Sequence, residues 1–119
     1  MSTPILAAMS EQDDHALRQL LAEDVRFNSP VRSYTGRDHV IHLLTTIGSL
    51  QYELRATRRL DGPQERATFI EMRAGERKLD GVLDERHDEA GRVVELTLML
   101  RPLSELREAV KRMAEALET

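Results

Sequence analysis

The residues best equipped for chemistry fall into a few small groups. His39 and His42 stand three apart beside Asp38 in a segment of helical periodicity, a spacing that suits a metal pair. The apolar stripe of that segment centres on Val40 and Leu44, with His42 on nearly the opposite side, so the pair reads as a solvated face. Asp80, Asp84, Glu85, His87, Asp88 and Glu89 form an acidic run with one imidazole. It holds the parts of a catalytic dyad, but at the end of a hairpin it reads first as a solvated turn. Alternation puts Glu71 on the same side of a strand as Ala67 and Phe69. If that side is concave, Glu71 is a buried carboxylate of raised pKa, able to give or take a proton. If Ile70 and Met72 face inward instead, Glu71 is a surface residue, and the cost of burying a carboxylate favours this arrangement.

Two further side chains have alternative roles. Tyr34 precedes a helix start, where its hydroxyl either orients a ligand or its ring packs beneath the helix. Arg101 ends a strand before Pro102, and a structural pair with a Glu is favoured there over a clamp for a ligand carboxylate. The chain has no cysteine, which removes disulfides, thiolate nucleophiles and Cys-based zinc sites. No metal site and no cofactor is expected.

Composition narrows the partners. The net charge is −4 with Lys and Arg interspersed among Asp and Glu, so no basic face for nucleic acid is legible. Aromatics are 3%, which removes the stacking platform that single-strand binders use. No stretch approaches the roughly 18 apolar residues of a membrane span. Residues 1–14 lack the basic start and long apolar run of a secretory leader, so a cytoplasmic location is the expectation. With 119 residues, 40% hydrophobic and 32% charged, the chain suits one globular domain over 1–119.

The elements that must position these residues follow from periodicity. Thr3-Pro4 is a helix start, and Ile5, Leu6 and Met9 share a face. Ser10 with Asp13 resembles a capping box, so a break and a second helix carrying Ala16, Leu17, Leu20 and Leu21 are expected. A short strand over 25–28 ends at Ser29-Pro30. Thr35-Gly36-Arg37-Asp38 is another capping-box candidate, ahead of a helix with Val40, Leu43, Leu44, Ile47 and Leu50 at 3–4 spacing. Strands are expected over 52–60, 66–74, 77–87 and 92–101, separated by short turns. Tyr52, Leu54, Ala56 and Leu60 share one face of the first. In the last, Val94, Leu96, Leu98 and Leu100 face one way and Thr97, Met99 and Arg101 the other. Pro102 and Ser104 open a final helix with the stripe Leu103, Leu106, Val110, Met113 and Leu117, set to rest on a sheet or a partner.

This order predicts an α+β fold, with an antiparallel meander covered on one face by helices and an apolar pocket between the layers. The stretches Ile5-Leu6-Ala7-Ala8-Met9, Leu20 through Val31 and Tyr34-Thr35-Gly36-Arg37-Asp38 together resemble the SnoaL-like branch of the NTF2-like superfamily. The hairpin from Glu89 to Leu96 and the ending Arg101-Pro102-Leu103 fit the same pattern. The resemblance covers nearly the whole chain. It implies a cone-shaped α+β barrel with a curved antiparallel sheet, one apolar pocket and a dimeric assembly. The superfamily includes isomerases, polyketide cyclases, hydrolases and members without known activity, so the fold alone does not give the function. Steroid-isomerase relatives carry a tyrosine in the first helix and two carboxylates in the pocket, and those positions correspond here to Ile5, Ser29 and Leu83. The base and the oxyanion donors of that chemistry are missing at the matching places.

The expectation is therefore a pocket for a small hydrophobic molecule lined by Phe27, Ser29, Tyr34, Phe69, Leu83, Leu98 and Leu100. It has no assigned catalytic residue beyond the weak candidate Glu71, and the chain forms a homodimer through its sheet. The alternatives are an isomerase or polyketide-cyclase-type enzyme acting on a small hydrophobic ketone, and a dimerisation module without ligand.

Overall fold

The computed structural model describes residues 2–118. Helix α1 (Pro4–Ser10) starts as expected: the Thr3 hydroxyl accepts the Leu6 N–H at 3.3 Å, and Pro4 stands where an N–H is not needed. The expected break follows, with Gln12 at φ 52°. Helix α2 (Asp14–Leu20) is capped by the Asp13 carboxylate, which accepts the Ala16 N–H at 3.0 Å; Ser10 is not the cap. Leu21, expected on this helix, starts strand β1 (Leu21–Asn28).

Helix α3 (Arg37–Ser49) buries Val40, Ile41, Leu43 and Leu44. Gly36 is its N-cap, at φ 103° and with no side-chain hydrogen bond, so the Thr35 capping box does not form. Thr35 is instead drawn into β2 (Ser33–Thr35), a short strand paired with β1 that the sequence pattern does not reveal.

The remaining strands are β3 (Glu53–Asp61), β4 (Glu65–Ala74), β5 (Arg77–His87) and β6 (Val93–Arg101), followed by helix α4 (Leu103–Leu117). They form one sheet in the order β2-β1-β6-β5-β4-β3. Strands β3 to β6 are the expected antiparallel meander, and β1 joins it parallel to β6. The concave face carries Ala56, Ile70, Met72, Leu79, Leu83, Leu96 and Leu98, all buried in one core with residues of the helices.

Irregularities bend the sheet and shift its faces. A register shift between Ala56 and Arg58 inverts the side-chain phase of β3, because an extra residue exchanges the two faces downstream. Leu60 consequently ends 57% exposed instead of sharing the inner face with Ala56. A second shift, between Arg86 and His87, buries Val93 where alternation had favoured Val94. Gly81 lies on the concave side between Ile70 and Leu100, and a Cβ there would overlap the Met99 carbonyl oxygen of β6. Gly48 of α3 is pressed in the same way against the Met9 carbonyl oxygen of α1. Both approaches are backbone contacts that flexible side chains cannot relieve. Gly48→Ala and Gly81→Ala should each destabilise the chain by about 1–3 kcal/mol in urea unfolding, as overpacking does.

Candidate functional site

Between the concave sheet and the helices lies a cavity of about 340 Å³, inside the roughly 300–1,000 Å³ range of small-molecule sites. Phe27, Met72, Leu98 and Leu100 form its sheet wall, and Leu43 and Ile47 of α3 its side. Helix α4 closes it with Leu106, Val110, Met113 and Leu117, so the stripe read as a sheet- or partner-covering face lines a hollow. Leu103, first in that stripe, is 61% exposed, and Ala109, at 9%, is the one buried residue of the helix among those described. Arg112 tethers the helix by donating to the Leu50 carbonyl oxygen at 2.8 Å, with its guanidinium 5.0 Å from the Tyr52 ring centroid.

The turn from β1 to β2 forms the rim with Ser29, Pro30, Val31 and Arg32. The Ser29 hydroxyl accepts the N–H groups of Val31 and Arg32 at 3.2 and 3.1 Å and donates to the Arg32 carbonyl at 2.8 Å, so it shapes the turn. Tyr34 takes the packing role expected of it. Its ring stacks 6.4 Å from Phe27 and meets His39 edge-on at 5.1 Å, at the start of α3. Its hydroxyl accepts from Arg32 Nε at 3.2 Å beside the cavity.

Of the expected lining residues, Phe27, Ser29, Tyr34, Leu98 and Leu100 line the cavity, and Phe69 and Leu83 do not. Thr68, Ile70 and Met72 are the buried side of β4, which turns Phe69 to the convex face beneath the Arg58 guanidinium, 3.9 Å from its ring centroid. Leu83 faces inward but is wholly enclosed in the core. Glu71 shares the convex face with Phe69. Arg73 at 3.1 Å and Lys78 at 3.4 Å bracket it, and the Arg73 hydrogen bond, ahead of Lys78, holds its carboxyl below the usual range. It stays ionised and away from the cavity, so it cannot serve the acid–base role considered for it. Arg101 pairs with Asp80 at 3.2 Å, an Asp in place of the expected Glu. His39 and His42 are both exposed, and among the described residues no group of three potential metal ligands assembles.

The acidic run divides. The Asp88 carboxylate accepts the N–H groups of Ala90 and Arg92 at 2.9 Å each and stabilises a turn, as expected. Glu85 and His87 depart from the turn reading. Glu85 is two residues beyond Leu83 on the same face of β5, and it is 1% exposed. One carboxylate oxygen, Oε1, lies 3.1 Å from His87 Nε2. The other, Oε2, and the Thr68 hydroxyl are buried without a hydrogen-bond partner in the described structure. Burial pushes the Glu85 carboxyl above its usual range. The His87 hydrogen bond and the Arg66 charge oppose this shift, and Asp61 reinforces it. Asp61 is itself held by Arg66 at 2.8 Å and Arg59 at 3.0 Å. Alternation counted from Leu83 was the signal that could have found this dyad, and the charge run masked it. Glu85 does not line the cavity.

The raised carboxyl has a defined pH signature. The folded chain binds the Glu85 proton more tightly than the unfolded chain does. Its stabilising contribution is thus complete below the ordinary glutamate pKa of about 4.3 and is lost as pH rises through the higher folded value. Glu85→Gln removes this loss. The urea midpoint of the variant, relative to the parent, should therefore rise as pH increases from about 4.

No protein-family model matches the chain, and no curated protein sequence does. Solved structures do match. An uncharacterized protein conserved in bacteria, with a cystatin-like fold, from Silicibacter pomeroyi superposes at a TM-score of 0.90 and 26% identity, over 98% of this chain and 84% of that one. A steroid delta-isomerase from Pseudomonas aeruginosa gives a TM-score of 0.85 and 29% identity, over 94% of this chain and 85% of that one. An NTF2-like protein of unknown function from Cytophaga hutchinsonii gives 0.72 and 11%, over 87% and 88%. A bent six-stranded sheet, helices across its hollow side and this likeness together make the chain an α+β protein of the cone-shaped NTF2-like fold.

Proposed function

We propose that this chain is a SnoaL-like, cytoplasmic pocket protein that binds a small hydrophobic molecule without transforming it. The observation that carries the reading is the cavity wall. It is built from aliphatic and aromatic side chains of the sheet, α3 and α4, and no carboxylate or imidazole lines it. Enolisation or hydrolysis needs a base within hydrogen-bond reach of the reacting atom. Buried Glu85 and half-buried His87, the pair with proton-transfer chemistry, lie beyond Leu83 and outside that wall. The steroid delta-isomerase likeness supports a second reading, an isomerase or polyketide-cyclase-type enzyme acting on a small hydrophobic ketone. Turnover of a β,γ-unsaturated ketosteroid by the wild-type chain would put that reading first.

Binding is testable with decanol by isothermal titration calorimetry. Wild type should bind with a negative heat-capacity change, the mark of apolar burial. Leu100→Trp, which fills the cavity from the sheet side, should weaken binding at least about tenfold, since each lost buried methylene contact is worth about 0.8 kcal/mol.

The convex face supports the homodimer. Phe69, Val82 and Met99 stand in register across β4, β5 and β6, and Met99 is 54% exposed. This apolar row crosses an otherwise charged surface and is the part of the sheet suited to a second copy. Met99→Lys should shift the chain to monomer in analytical ultracentrifugation at micromolar concentration, with a far-UV circular dichroism spectrum that stays that of the folded parent.

A further inference from the structure

We infer that the guest is an amphipathic monocarboxylate, its apolar tail in the cavity and its carboxylate on Arg32 at the rim; the inference rests on the apolar-pocket reading above. Arg32 is the one charged residue among those that line the cavity. The chain as a whole is acidic, at −4, and Arg18, Arg59, Arg66, Arg73, Arg77, Arg86 and Arg101 each hold a carboxylate. Arg32 has no acidic partner among the described residues. Its Nε donates to the Tyr34 hydroxyl at 3.2 Å, its guanidinium carbon lies 5.3 Å from the Tyr34 ring centroid, and no hydrogen bond engages its terminal nitrogens in the described structure.

The position of this cation is set by the chain. The Ser29 hydroxyl holds both the N–H and the carbonyl of Arg32, which fixes the backbone from which the side chain springs. Tyr34 is fixed in turn by Phe27 and His39. A hydroxyl has one proton and two lone pairs, so Tyr34, accepting from Arg32, still has its proton to donate. The rim thus offers a planar guanidinium fork and a phenolic donor side by side, the geometry that receives two oxygens of a carboxylate. The walls behind it offer apolar surface and no acid, so a neutral guest would forgo the charged contact and a cationic one would be repelled.

Titration calorimetry with decanoate and decanol, both below their micelle-forming or solubility limits, tests this. In wild type decanoate should bind about tenfold tighter than decanol, or more, as hydrogen bonds to a charged group allow. Added salt should narrow the ratio. Arg32→Gln should bring the ratio close to one, and Arg32→Lys, which keeps the charge and loses the fork, should restore part of it. Equal affinities in wild type, or a ratio undiminished in Arg32→Gln, would overturn the carboxylate inference and leave the apolar pocket standing. Binding of neither probe would overturn the pocket reading and this inference with it.

Discussion

The hollow depends on how closely two strand backbones approach one another. At Gly81 the main chain of β5 comes so near the Met99 carbonyl of β6 that a side chain has no room. A regular pleat keeps Cβ clear of the neighbouring strand; this departure from it, with extra residues in β3 and β6, is how a sheet coils instead of lying flat. A flatter sheet would meet α3 and α4 along its whole face and leave a solid core. The contact between Gly48 and Met9 does the corresponding work among the helices, setting α3 tightly on α1 while its other side borders the cavity.

Polarity on the concave face is segregated along the strand direction. From the cavity toward the β5–β6 turn, β5 presents Gly81, Leu83, Glu85 and His87 in succession. Leu83 is a complete apolar barrier between a chamber without acids and a carboxylate kept from water. Glu85 is tolerable there because it has His87 within hydrogen-bond distance and a guanidinium nearby, and because burial favours its neutral form. The arrangement separates proton-transfer capacity from binding volume. A general base works within hydrogen-bond reach of the atom it deprotonates, and here the buried carboxylate and the cavity stand apart.

Much of this was legible in the sequence because it is local. The Thr3-Pro4 start, the stripe of α3 and the alternation of Leu96, Leu98 and Leu100 each follow from one element's own period, and their order gave the cone. Errors came where phase is set by a neighbour. The shift near Ala56 sends Leu60 outward, and the one before His87 buries Val93. Neither leaves a mark such as a glycine at the shifted residue. Phe69 was misplaced because both faces of β4 carry bulky residues, and hydrophobicity cannot choose between Phe69 and Ile70. The cavity's sheet wall and rim were partly readable. The contribution of α4 was not, since an amphipathic stripe looks the same whether it covers a sheet, a partner or an empty space. Glu85 was hidden in a run of charges whose other members are exposed or half-buried.

The final helix is joined to the molecule in an unusual way. Its one buried residue is an alanine, its larger side chains border a hollow, and two long-range polar contacts hold it, Arg112 to the end of α3 and Glu105 to Arg77 of β5. Segments with so little solid packing lift away at a fraction of the free energy needed to melt the whole chain. For a guest of the proposed kind, the time spent inside would then follow how often this roof rises, not how often the body beneath it melts. The tail of such a guest would add to the core contacts that Leu106 and Met113 already make, so occupancy itself would slow the exit.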